Sequence, residues 1–230
     1  MTSPETPAVV GDSRQLQIER LVAGGDAMAR DADGRVVFVE GALPGETVDV
    51  ELIVVKRDFA RGRVTGIVAP SPQRVVPPCA HVADGCGGCD WQHLAATAQH
   101  DAKVEVVREA FARTGRLPDV AIVRGAAVAH DALRTTVRMA VTSDGKLGFR
   151  RAASHDVVGI ERCLVMHPLL AQLVSSIGVR GTGEVTLRCG DATGERGVWS
   201  HDRARLLGLP AEVAAGATAG VDGVVLSGLT

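Results

Sequence analysis

Tyrosine is absent from these 230 residues, and aromatic residues make up only 3% of them. Any base stacking or aromatic core must therefore come from a few Phe and Trp side chains. No run of about 18 apolar residues occurs, which excludes a membrane-spanning helix. No basic segment followed by an apolar one opens the chain, so MTSPETPAVVGDSR reads as a polar, disordered tail over residues 1–13 and not as a secretory signal. Bulk positive charge is missing as well. The formal net charge is -2, which excludes coating of nucleic acid by overall charge but leaves room for a local basic patch. A cytoplasmic, monomeric protein with no membrane partner is expected. Hydrophobic residues reach 46%, enough for a buried core.

Residues 14–72 read as short strands between glycine-rich turns. QLQIERLV places Leu16, Ile18 and Val22 on one face. Gly24-Gly25-Asp26 turns the chain into AMAR, and Asp33-Gly34 signals a hairpin before RVVFVEG. Pro44-Gly45, TVDVELIVVK and RGRVTGIV follow. Five strands with no helical period predict a small closed barrel of OB type. Pro70, Pro72, Pro77 and Pro78 mark its exit. A central α+β domain is expected over 77–215. Its helix runs from about His93 to Thr114, with Leu94, Ala98, Ala102, Val106 and Ala110 on one face. Gly115 reads as its C-cap. Further strands are expected at VAIVR, TVRMAVT, LGFRR, DVVGI, EVTLRCG and RGVWS, and a second helix over 168–177. Residues 216–230 read as a linker whose VDGVVL is a strand without partners.

Five cysteines are present, an odd number, and three fall within eleven residues: Cys79, Cys86 and Cys89, in CAHVADGCGGC. In a reducing compartment that pattern favours a metal site over disulfides. Gly87 and Gly88 allow a tight path between two ligands. Cys163, far along the chain, supplies a fourth thiolate. Soft thiolates suit an iron–sulfur cluster or zinc. Structural zinc more often takes two close pairs. A ferredoxin-like electron carrier is related by spacing, although its loop lengths differ. Unrelated cysteines are the bland alternative. Cys189, in the middle of VTLRCG, reads as a buried core residue.

Lys56-Arg57-Asp58-Phe59-Ala60-Arg61-Gly62-Arg63 is the most basic stretch of the barrel. Here Phe59 could stack a base while Lys56, Arg57, Arg61 and Arg63 hold phosphates. A solvated hairpin with Phe59 in the core is the alternative. Arg134 and Arg138 share one face of a strand and could clamp phosphates or simply face water.

Several segments together resemble the RNA uracil-C5 methyltransferases of ribosomal and transfer RNA. They are GGDAMAR, LPGETVDVEL, SPQRVVPPCAH, CGGCDWQHL, LRTTVRMAV and GKLGFRRAASHDVVGIERCLVMHPLL. The resemblance implies that the barrel is an RNA-binding TRAM domain. It also implies that Cys79, Cys86, Cys89 and Cys163 hold a [4Fe–4S] cluster, and that S-adenosylmethionine is the methyl donor. In that family a Rossmann-like domain binds the donor and carries a cysteine that attacks uracil C6, making C5 nucleophilic. No segment here matches that domain, so no catalytic residue is assigned. The expected fold class is mainly β: the OB-like barrel, then the α+β iron–sulfur domain, with the catalytic domain absent. Three functions follow as expectations. The first is the RNA-binding and cluster-bearing part of such an enzyme. The second is a stand-alone RNA-binding protein that meets a separate catalytic chain, and the third is an electron carrier.

Overall fold

A computed structural model describes residues 8–126, 128–218 and 224–227. Two compact units emerge, and they interleave along the chain. The first comprises residues 1–78 and 90–127, the second residues 79–89 and 128–230.

In the first unit, five strands close into a barrel: β1 (Ser13–Leu21), β2 (Ala27–Arg30), β3 (Val36–Glu40), β4 (Thr47–Val55) and β5 (Phe59–Ala69), in the order β1-β2-β3-β5-β4. Alternation explains the interior. Val48, Val50 and Leu52 of β4 and Val37 and Val39 of β3 are all fully buried. The parallel pairing of β3 with β5 completes the ring. Register breaks at three places between β4 and β5 bend the pair enough for closure. One inward residue differs from the expectation. A register shift between Ile18 and Arg20 advances β1 by one position. Leu21 is therefore buried, and Val22 lies only partly inside.

A buried ion pair secures the barrel. The Glu46 carboxylate is wholly inaccessible and accepts bonds from Arg74 Nε (2.6 Å) and Nη2 (2.7 Å). The Leu43 and Ser71 amides complete its shell. Burial pushes this carboxyl up, but Arg74 and the two amides more than offset that and hold it below the usual glutamate range. Helix α1 (Ala96–Glu109) packs on the barrel through partly buried Ala98 and Ala102. Arg20 of β1 clasps Glu109 at its end (2.6 Å). A wider helical turn, Ala110–Thr114, extends it. Gly115 is not in the left-handed region; Arg116 is, at φ 55°. Glycine is needed at 115 because a Cβ there would sit 2.8 Å from the Phe111 carbonyl oxygen. The strand expected at VAIVR does not form.

The second unit is built on a sheet that has seven strands among the described residues. They are β6 (Thr136–Val141), β7 (Leu147–Arg150), β8 (Val157–Gly159), β10 (Glu184–Cys189), β11 (Arg196–His201), β13 (Ala214–Thr218) and β14 (Val224–Ser227), in the order β14-β13-β11-β10-β6-β7-β8. Helix α2 (Pro168–Ser176) buries Leu170 and Leu173 in the same core as Val137, Met139, Val185 and Leu187. A two-stranded ribbon joins β9 (Gly178–Arg180) to β12 (Arg205–Leu207). The sequence pattern points to neither of its strands. Cys189 is buried, its side chain being on the inward face of β10.

The structure departs from the expected domain bounds at two points. Helix α1 belongs with the barrel unit, because its apolar contacts are to the barrel core. The VDGVVL segment is not an orphan strand. Val224–Ser227 pairs antiparallel with β13, which pairs parallel with β11, so both extend the sheet. The remainder of 216–230, and the 1–7 part of the expected tail, lie outside the described residues.

Candidate cysteine centre and basic surfaces

The Cys79–Cys89 segment is held like an added strand against the end of β7. Cys86 bridges Arg151, the Gly87 amide donates to the Arg150 carbonyl (2.9 Å), and the Ala152 amide donates to Gly85 (3.2 Å). Only glycine fits at 87, since a Cβ there would lie 2.8 Å from the Ala152 nitrogen. On the other side, residues 132–134 zip to 163–167. The Ala132 amide reaches Leu164, the Arg134 amide reaches Val165, and the His167 amide reaches Arg134. This pairing carries Cys163 to the same place. Arg134 then turns inward, its Nη2 donating to the Gly88 carbonyl at 2.7 Å.

Cys79, Cys86, Cys89 and Cys163 are all partly buried and all belong to the second unit. Their thiols feel one another. Burial pushes Cys86 up, the Gly88 amide draws it down, and the other three cysteines push it up further. Burial likewise raises Cys163. The Val165 and Met166 amides and the Arg134 charge oppose that, and Cys89 adds to it. Backbone N–H groups directed at sulfur are a feature of iron–sulfur ligation. Among the described residues, however, no three His, Cys, Asp or Glu side chains are grouped closely enough to hold one metal ion. Thiolates on a single zinc sit roughly 2.3 Å from a common centre, and this set does not. The four sulfurs thus share one region of the second unit, with backbone N–H groups directed at Cys86 and Cys163.

On the barrel, Phe59 is 36% exposed and packs edge-on against Phe38, with ring centroids 6.0 Å apart. Both rings border an open groove of about 1180 Å³ that Arg30, Arg108 and Glu105 also line. The neighbouring cations are largely engaged. Arg57 pairs with Asp58 (3.1 Å), Arg61 with Asp26, and Arg63 with Glu51 (3.4 Å). Lys56 is exposed and has no ion pair among the described residues. Arg138 is paired with Glu184. The structure thus brings the four cysteines and Arg134 into one region of the second unit and Phe59, Arg61 and Arg63 onto β5. Sequence reasoning overlooked the Glu46–Arg74 lock and the two residues beside the cysteine loop, Arg150 and Arg151. The signal available for Arg150 and Arg151 was an arginine doublet at the end of a strand.

Residues 7–65 match the TRAM domain family. The barrel is a TRAM domain. Over 164 residues the chain is 42% identical to the 23S rRNA (uracil(1939)-C(5))-methyltransferase RlmD of Halomonas elongata, covering 70% of this chain and 34% of that protein. An uncharacterised RNA methyltransferase of Streptomyces coelicolor is 32% identical over 209 residues, 84% of this chain and 45% of its own length. The chain thus spans less than half the length of these curated relatives. Among solved structures, the Pyrococcus abyssi tRNA (uracil-54, C5)-methyltransferase, in complex with S-adenosyl-L-homocysteine, aligns with a TM-score of 0.56 at 20% identity. The alignment covers 90% of this chain and 52% of that one. It overturns the expected fold class, which defined the chain as a barrel plus an α+β domain set apart by an absent catalytic domain. Beyond the TRAM barrel too, the fold is shared with a methyltransferase chain.

Proposed function

We propose that this chain acts in S-adenosylmethionine-dependent methylation of uracil C5 in structured RNA, ribosomal or transfer. Its TRAM barrel grips the RNA, and its second unit holds a [4Fe–4S] cluster. The observation that carries this reading is the 42% identity to a 23S rRNA uracil-C5 methyltransferase over 164 residues, on a chain whose barrel is a TRAM domain. Cys79, Cys86, Cys89 and Cys163 would hold the cluster. When bound, it supplies a rigid link between the 79–89 loop and the stretch of chain around residue 163. Arg134 braces that loop through Gly88 and places a positive charge near the sulfurs. On the barrel, Phe59 offers a ring for a base, while Lys56, Arg57, Arg61 and Arg63 offer cations for phosphates. Arg61 and Arg63 reach from β5 to Asp26 and to Glu51 of β4, and each would exchange that carboxylate for a phosphate. No residue of this chain is assigned a catalytic role.

Anaerobic purification followed by iron and sulfide analysis tests the cluster, with about four of each per chain expected. Zinc in their place would sink that part. An RNA titration at several salt concentrations tests the grip. Changing Arg61 and Arg63 together to Ala should weaken binding and reduce the slope of log affinity against log salt by roughly 0.7–0.9 for each phosphate no longer neutralised. An unchanged slope would move the RNA-binding surface off β5.

A further inference from the structure

Beside the cysteine loop, the second unit has a recess of about 290 Å³. Gly87 and Gly88 line it, together with Arg138, Arg150, Arg151 and Glu184. Arg138 and Arg150 both pair with its one carboxylate, and Arg151 stands beside them with its Nη1 against Gly85. Glu184 accepts from Arg150 Nη2 at 2.9 Å and also pairs with Arg138. Arg150 additionally reaches the His155 carbonyl at 3.2 Å and its ring Nδ1 at 3.3 Å. Arg151 has no ion pair among the described residues, and its side chain is exposed. The three arginines and Glu184 leave a local excess of two positive charges. At the rim, Ala152 and Ala153 are exposed, and Ala153 has a left-handed backbone at φ 50°, uncommon for a residue with a side chain. Ala140 and Phe149 also line the recess, and the close approach at Gly87 admits no side chain there.

Planar guanidiniums match the two free oxygens of a phosphodiester, and a space of this size admits about one nucleotide. Exposed walls let a continuous strand pass through. We infer that this recess is a phosphodiester subsite for RNA, with Glu184 as an internal anion that orients Arg138 and Arg150 and competes with the incoming phosphate. The inference rests on the RNA reading above and adds a second RNA-binding region, in a different unit from the barrel.

Removing the arginines and removing the carboxylate should act in opposite directions, which makes the test specific. The full chain is titrated with a fluorescein-labelled RNA hairpin carrying uridines in its loop, across a salt series. Changing Arg150 and Arg151 together to Gln should lower the salt slope by about 0.7–0.9, the share of the one phosphate the recess holds. Glu184→Gln removes the competing anion and should tighten binding about fivefold, the upper range for one exposed charge. If the parent chain binds no RNA, this inference and the RNA reading fall together. If it binds but the arginine variant keeps its slope, the subsite alone is overturned. Weaker binding by Glu184→Gln would make that carboxylate a mere brace and would also overturn it.

Discussion

Glu46 and His93 show how single side chains set the pH response of the barrel unit. Glu46 is fully buried and its folded pKa is depressed, so its contribution is complete above the usual value of 4.5 and is lost as pH falls through the lower folded value. His93 is held below 6.5, chiefly by burial and then by the Arg74 charge, and its Nε2 is buried without a partner among the described residues. A histidine kept neutral by folding costs stability once pH drops below its unfolded value. Stability should therefore decline in two stages, His93 acting from about pH 6.5 downward and Glu46 only below about 4.5. Glu46→Gln strands the Arg74 guanidinium and should cost about 3–5 kcal/mol at neutral pH. It should also shrink the lower stage, to which Glu109 contributes as well, and leave the upper one. Urea midpoints measured from pH 7 to pH 3 check this; parallel profiles for the two proteins would contradict it.

At the scale of elements, apolar alternation made the barrel strands legible. Val48, Val50 and Leu52 are buried as their spacing requires. Bulges were not legible, since an inserted residue leaves no mark in composition, and the one in β1 exchanged Val22 for Leu21 as an inward residue. Close strand approaches were equally hidden. A Cβ at Gly148 would stand 2.2 Å from the Val158 carbonyl oxygen and 2.7 Å from a Val157 methyl group. Gly148→Ala should thus part β7 from β8, at about 1–3 kcal/mol. Gly125, with nothing within 4 Å of the same position, should accept Ala with little change. Denaturant melts of the two variants compare them directly, and equal stabilities would count against the close packing of β7 on β8. The β9–β12 ribbon escaped prediction for a simpler reason: three-residue strands are too short to display a period.

For the whole molecule, the informative feature is interleaving. Because residues 79–89 sit in the second unit and 90–127 in the first, a linear division of the sequence cannot separate them. Each unit carries one of the two tryptophans, Trp91 in the first and Trp199 in the second, so each can be followed by fluorescence. On the proposed cluster reading, Cys86→Ala should abolish iron–sulfur absorbance and lower the unfolding midpoint reported by Trp199 in a Trp91→Phe background. The midpoint reported by Trp91, in a Trp199→Phe background, should hold. A Trp199 midpoint that stays put would show that the thiol site contributes nothing to the second unit.

What the residues determined unaided was local: alternating apolar strands, glycine-marked turns, the helix at Pro168, and three cysteines on one glycine-bearing loop. These depend on neighbours a few positions apart, which a linear reading can see. Tertiary structure alone decided which distant segments meet. It brought Cys163 and Arg134 to the 79–89 loop, locked Glu46 to Arg74 across the barrel, and set Arg150 and Arg151 beside Gly87. Such meetings arise from backbone pairing between remote strands, whose partners and register follow from packing the whole core and not from any short stretch of sequence.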